Sequence, residues 1–164
     1  MYIIEPLKSQ DRQSFDCGEE SLNRYLRERA TQDIKRKLNR VFVMREERKD
    51  RVIGYYTLAA TTVEAAKLPP AHAKRLPQYP IPAALLGKLA VDKGWQNKGI
   101  GKHLLANAIR RLQSVEKEIG LHVLVIDPLT DDLAKFYTSV GFMQFPPERR
   151  LFLFMNSLED WEMG

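Results

Sequence analysis

Residues 83–91, AALLGKLAV, are almost continuously apolar, and from Ile100 onward apolar residues return at Leu104, Leu105, Ala108, Ile109, Leu112 and Val115. Between these runs, from Lys93 to Lys102, lie three glycines and three lysines. An unbroken apolar run of strand length marks a central strand covered on both faces. The 3.6-residue spacing that follows marks an amphipathic helix ending near Gly120. A buried strand that feeds a helix through one tight turn commits the chain to layers of sheet and helix. The turn also carries chemistry. The first N–H groups of a helix have no partner within it, and the helix dipole makes that end positive. Glycines let a ligand approach those groups closely, so a phosphate or pyrophosphate is the natural guest.

The remaining runs fill in the sheet. Residues 19–38 place Leu22, Tyr25, Leu26, Ala30, Ile34 and Leu38 on one stripe, predicting one amphipathic helix or two short ones, capped near Asp16 with Glu19 and Glu20 in the first turn. RVFVMR (40–45) alternates as a strand does, and RVIGYYTLAATTVE (51–64) is rich in β-branched and aromatic residues. The two are expected to pair as a hairpin across the charged turn EERKD. Residues 67–82 hold five of the nine prolines and predict an irregular surface loop. LHVLVI (121–126) and RLFLFM (150–155) read as strands. TDDLAKFYTSV (130–140) reads as a short helix with Thr130 as N-cap and Gly141 at its end. The order is strand, helix, hairpin, central strand, helix, strand, helix, strand. It predicts an α/β (α+β) domain over residues 1–164: a single mixed, mostly antiparallel sheet with helices on both faces.

Composition narrows the function. At 164 residues and 44% hydrophobic, the chain suits one sizeable core. A single cysteine, Cys17, excludes an internal disulfide and fits a reducing compartment. His72, His103 and His122 are scattered, so no metal site is expected. The start, MYIIEPLKSQ, lacks a basic segment followed by a long apolar one, and no apolar run approaches membrane-spanning length. A soluble cytoplasmic protein is expected. Residues 51–115 carry ten Lys or Arg against only Glu64 and Asp92, although the net charge is +5. A phosphorylated ligand or a polyanion would be drawn to this third; a solvated basic face has the same composition.

Two familiar phosphate loops fail at single residues. A Walker A motif starting at Gly94 needs Lys where Ile100 stands, and a dinucleotide fingerprint starting at Gly99 needs Gly or Ala where Leu104 stands. Gln96-Asn97-Lys98-Gly99-Ile100-Gly101 instead resembles the Q/R-x-x-G-x-G/A pyrophosphate loop of the GNAT acyl-CoA N-acyltransferases. FYTSVGF (136–142) resembles that family's (F/L)-Y-x-x-x-G-F helix end. FDCGEESLNRYL, GYYTLA, the P-I-P before LLGKLAVD, and WQNKGIG narrow the likeness to the GNAT toxins of bacterial toxin–antitoxin modules. Those enzymes acetylate the amino group of aminoacyl-tRNA, and their antitoxins are usually ribbon-helix-helix proteins.

The resemblance implies acetyl-CoA as cofactor, Tyr137 as general acid, and a pantetheine arm along the backbone of Leu89, Ala90 and Val91. It implies a pyrophosphate held at Gln96, Asn97, Lys98, Gly99, Ile100, Gly101 and Lys102. Asp131 stands where many relatives have a cofactor-side Asn, and Lys88 where the subgroup commonly has Arg. For tRNA, the candidate contacts are Lys35, Arg36, Lys37, Lys74, Arg75 and Lys88, with Arg149 and Arg150 in acidic surroundings. An aminoacyl-tRNA substrate, a ribbon-helix-helix antitoxin and a homodimer are the partners it suggests. Trp95 is either a stacking platform or packing under the turn. His103 is read as a cap or a solvated side chain, and Cys17 as a small buried residue. The tail 156–164 receives no role. Two other readings stand beside this one: a GNAT acting on a small amine or a protein amino group, and a binding module with a vestigial pocket. An aminoglycoside substrate would call for carboxylates, which residues 51–115 nearly lack.

Overall fold

In the computed structural model, which describes residues 1–144 and 149–158, β1 (Tyr2–Pro6) pairs antiparallel with β2 (Arg40–Glu46), and β2 with β3 (Gly54–Val63). β4 (Ile81–Val91) runs parallel to β5 (Val123–Ile126), which pairs antiparallel with β7 (Leu151–Phe154); β7 in turn pairs with β6 (Met143–Gln144). The order in this single seven-stranded mixed sheet is β1-β2-β3-β4-β5-β7-β6. The two-residue β6 has no sequence signal, because two residues cannot show a period. The chain divides into two compact units, Met1–Ala59 with Gly87–Arg111, and Ala60–Leu86 with Leu112–Gly164.

In the first unit, Val41 and Val43 of β2 join Tyr55 and Ala90 in a core with Leu22, Tyr25, Leu26 and Ala30. Phe42 points the other way, stacks on Tyr56 at 5.1 Å, and carries the Arg111 guanidinium 3.8 Å above its ring. The Tyr56 hydroxyl donates to Asn107 Oδ1 at 2.6 Å. Asn107 and Arg111 belong to α4 (Ile100–Val115), so β2 has a helix on each face. α4 lies close to β3 because Gly54 leaves room. A Cβ there would come within 2.9 Å of Leu104 Cδ1 and 3.2 Å of the Ala90 carbonyl.

The first helical stretch departs from expectation in three ways. It runs as α1 (Glu20–Arg24), a π-helical turn (Tyr25–Arg29) and α2 (Ala30–Lys35). The π turn takes up one extra residue and loosens the hydrogen-bond ladder; Arg12 donates to the Leu26 carbonyl at 3.1 Å and to Thr31 Oγ1 at 2.7 Å. Asp16 is not the cap: Glu19 holds the N-cap position without a side-chain bond. The helix also stops three residues before Leu38, which is 60% exposed. Lys37 takes φ 60°, with Lys37 N–H on the Ile34 carbonyl and Leu38 N–H on the Asp33 carbonyl. This is a Schellman closure with lysine where glycine is usual, which is why no glycine announced it.

In the second unit Val63, Leu68, Ala83, Val123, Val125, Phe152 and Phe154 form the core. The proline-rich segment is more regular than expected. A 3-10 turn (Ala65–Lys67) leads into it, it holds the one-turn helix α3 (Pro70–Ala73), and β4 already begins at Ile81. Pro70 starts α3 because the first helical N–H needs no partner. His72 lies flat on Phe154 at 4.1 Å, which fixes the segment to the core. α5 (Asp131–Ser139) begins as expected, with Thr130 Oγ1 accepting from Leu133 N–H at 3.1 Å. Residues 159–164 of the tail lie outside the described residues.

Candidate active site

β4 ends at Val91, and the chain turns over the buried Asp92. Asp92 Oδ1 accepts from Gly94 N–H at 3.0 Å, capping a 3-10 turn, Lys93–Trp95. Its Oδ2 accepts from Asp16 N–H and from Arg51, both at 3.1 Å. Neither Asp92 nor Arg51 stood out in the sequence, because their partners lie 76 and 41 residues away. After the turn, Asn97 adopts φ 63° and Gly99 φ 80°. A Cβ built on Gly99 would meet nothing within 4 Å, so open space lies beside Gly99. The first intrahelical bond of α4 runs from His103 N–H to the Gly99 carbonyl. Donors of the first turn therefore stand before that open space with the positive end of the dipole. A phosphate fits this cradle.

The expected ligands are not equivalent. Asn97, Lys98, Gly99 and Lys102 are exposed. Ile100 is buried, so only its main chain can serve a ligand. The Gln96 side-chain amide donates to the Val91 carbonyl at 2.8 Å and to the Cys17 carbonyl at 2.9 Å. Leu89 and Ala90 are buried, and the register with β5 covers only Ala83–Leu86. Trp95 is half-buried, edge-on to Tyr2 at 6.0 Å, with Lys98 Nζ 5.0 Å from its centroid. His103 is exposed beside Tyr2. Cys17 is only half-buried, and partial burial raises its thiol pKa, so the thiolate is disfavoured.

Lys88 is half-buried, its Nζ 4.1 Å from the Tyr25 ring centroid. Desolvation lowers its pKa, opposed by the nearby Asp33 charge. Tyr25 donates to Asp33 at 2.7 Å and receives a bond from Asn39, and burial first of all pushes its pKa up to about 12. Lys35, Arg36, Lys37, Lys74 and Arg75 are all exposed.

In the second unit Tyr137 lies in the last turn of α5, buried against the rings of Phe136 and Phe142. Its carbonyl receives Phe142 N–H at 3.1 Å, and Gly141 turns the chain at φ 110°. Burial raises the phenol pKa and keeps it protonated. Asp131 is not an inward-facing group: its side chain is 90% exposed and meets Arg149 at 3.4 Å. Arg150 holds Asp127 through two bonds, 2.7 and 2.8 Å. Among the described residues no group of three metal-ligating side chains occurs, and no helix is long and apolar enough to cross a membrane.

The model of the acetyltransferase (GNAT) domain matches residues 37–144, which include β4, the loop, α4 and Tyr137. The chain belongs to the GNAT acetyltransferases. It is an acyltransferase by family, and acetyl-CoA is the donor such a loop serves. This GNAT chain is 37% identical over 135 residues to the tRNA-acetylating toxin of Mycobacterium tuberculosis, covering 82% of this chain and 80% of that protein. It is similar to the structure of AtaT complexed with acetyl-methionyl-tRNAfMet, with TM-score 0.89 and 34% identity over 97% of this chain and 98% of that one. A tyrosine-to-phenylalanine mutant of AtaT, bound to the C-terminus of the antitoxin AtaR and to acetyl-CoA, matches with TM-score 0.83 and 30% identity, covering 96% of each chain.

Proposed function

We propose that this chain transfers the acetyl group of acetyl-CoA to the amino group of aminoacyl-tRNA, as the toxin of a toxin–antitoxin pair acting in the cytoplasm, where charged tRNA is used. The observation that carries this reading is the chain-long likeness to AtaT holding an acetylated aminoacyl-tRNA, together with a pyrophosphate-ready loop at the start of α4. Acetyl-CoA supplies an activated acetyl thioester. The chain's own residues do the rest. First-turn N–H groups, with Lys98 and Lys102 nearby, hold the pyrophosphate, and Leu89 and Ala90 offer main-chain bonds to the arm. The Val91 carbonyl is already taken by Gln96.

Tyr137 is assigned as the proton donor to the departing sulfur. A phenol held protonated by burial is in the form required, although a raised pKa makes it a weaker acid, so close placement must do the work. A dedicated base is unnecessary, since a free α-amino group has a pKa of about 7.7–8.0 and an esterified amino acid lies lower. An antitoxin is the protein partner, by analogy with the AtaT complex that contains AtaR.

The test is transfer of labelled acetyl from acetyl-CoA to purified charged tRNAs at rising salt, with a free amino-acid amide as competitor. Efficient labelling of charged tRNA that weakens steeply with salt is expected. Equal labelling of the amide with no salt dependence would hand the function to the small-amine reading.

A further inference from the structure

We propose that the Phe15–Gly18 turn is the positioning element of the pyrophosphate loop, and that Gln96 works as a strap between them and not as a phosphate ligand. The proposal rests on the reading of residues 96–102 as the acetyl-CoA pyrophosphate site. The two segments are joined by main chain and side chain alike. Asp16 N–H donates to Asp92 Oδ2 at 3.1 Å, Lys93 N–H to the Asp16 carbonyl at 2.8 Å, and Gln96 Nε2 to the Cys17 carbonyl at 2.9 Å. Lys93 Nζ adds an ion pair to Asp16 at 3.4 Å.

The turn is itself held from behind. Asp16 Oδ1 accepts from Gly18 N–H at 2.9 Å and from Asn23 Nδ2 at 3.0 Å, and Asn23 Oδ1 accepts from Cys17 N–H at 2.8 Å. Arg27 donates to the Phe15 carbonyl at 2.8 Å, and the Phe15 ring is fully buried edge-on to Tyr55 at 5.5 Å. A path of packed and bonded groups therefore runs from β3 through the turn to the loop.

The case against Gln96 as a ligand is one of donors and acceptors. Its amide nitrogen carries two hydrogens, and two carbonyls, Val91 and Cys17, take them. What remains on the side chain is an oxygen, which repels a phosphate oxygen. Gln96 instead ties the end of β4 to the turn, so that the N–H groups that follow are fixed before a ligand arrives. Such pre-organisation raises affinity by sparing the ordering that binding would otherwise require.

Gln96→Met and Asn23→Ser test this, with the full chain, by calorimetric titration of acetyl-CoA, steady-state kinetics and hydrogen exchange of the cofactor-free protein. Removing the two Gln96 bonds is expected to weaken acetyl-CoA about tenfold, raising its KM more than it lowers kcat. The amides of Lys93 and Gly94 should exchange faster in both variants before any cofactor is added. Gln96 is exposed, so its variant keeps the core even where Asn23→Ser proves unstable. Weakened binding by Gln96→Met with unchanged exchange would make Gln96 a ligand and overturn the strap. A folded Asn23→Ser with wild-type affinity would overturn the role of the turn. If the wild-type chain binds no acetyl-CoA, the reading of the loop fails by itself, and the exchange measurements still decide whether the turn holds it.

Discussion

Tyr137 is 3% exposed, and its neighbours Phe136 and Phe142 supply packing but no charge. Phenylalanine fills the same space, so Tyr137→Phe should keep the fold and acetyl-CoA affinity while slowing transfer by about 10²–10⁴-fold if its proton is used. Single-turnover kinetics on charged tRNA would show it; wild-type rates would leave Tyr137 a packing residue. His122 gives a pH signature at the same scale. Desolvation, and then the charge of His72, lower its pKa, and its Nε2 is buried without a hydrogen-bond partner. The folded state thus binds fewer protons than the unfolded one, so stability rises with pH across the window between the two pKa values. As pH falls below the unfolded value of about 6.5, stability is lost until the lower folded value is passed. His122→Phe should flatten that part of a denaturation-against-pH profile.

The elements carry two further expectations. Gly99→Glu should abolish acetyl-CoA binding, because a carboxylate would stand in the phosphate's place. Gly99→Ala is the control, since it carries the strain of φ 80° without the charge. That strain costs about 1–2 kcal/mol, visible in a melt, whereas only the Glu variant should lose the ligand in a titration. Gly54→Ala should destabilise by about 1–3 kcal/mol through overpacking of β3 against α4, given the 2.9 Å approach to Leu104. Chemical denaturation would measure it.

For the molecule as a whole, Lys35, Arg36 and Lys37 close α2, and Lys74 and Arg75 follow α3, all exposed. Lys37 holds a left-handed conformation that glycine would adopt more cheaply. Reversing Lys74 and Arg75 to Glu should raise KM for charged tRNA and leave acetyl-CoA affinity intact. Each lost phosphate contact should lower the slope of log affinity against log salt by roughly 0.7–0.9. A variant with unchanged KM and slope would place the RNA elsewhere. Lys88 is a poorer candidate than its charge suggested, because its ammonium sits against the Tyr25 ring and is half-buried.

Local patterns alone determined the central strand, the glycine turn, α4, the Thr130 cap of α5 and the FYTSVGF helix end. These features depend on neighbours a few residues apart, which a sequence displays directly. The family likeness followed from the same short stretches. Tertiary structure decided what local patterns could not hold. At the π turn, Arg12 reaches the Leu26 carbonyl from fourteen residues away. The order of the proline segment depends on His72 finding Phe154. Above all, the sequence shows Asp92 as an ordinary loop residue and Gln96 as the first residue of a phosphate-loop motif, and neither as a tie to a distant turn. They join the glycine loop to a turn 76 and 79 residues earlier, and hydrogen bonds between such distant segments exist only once the core has brought them together.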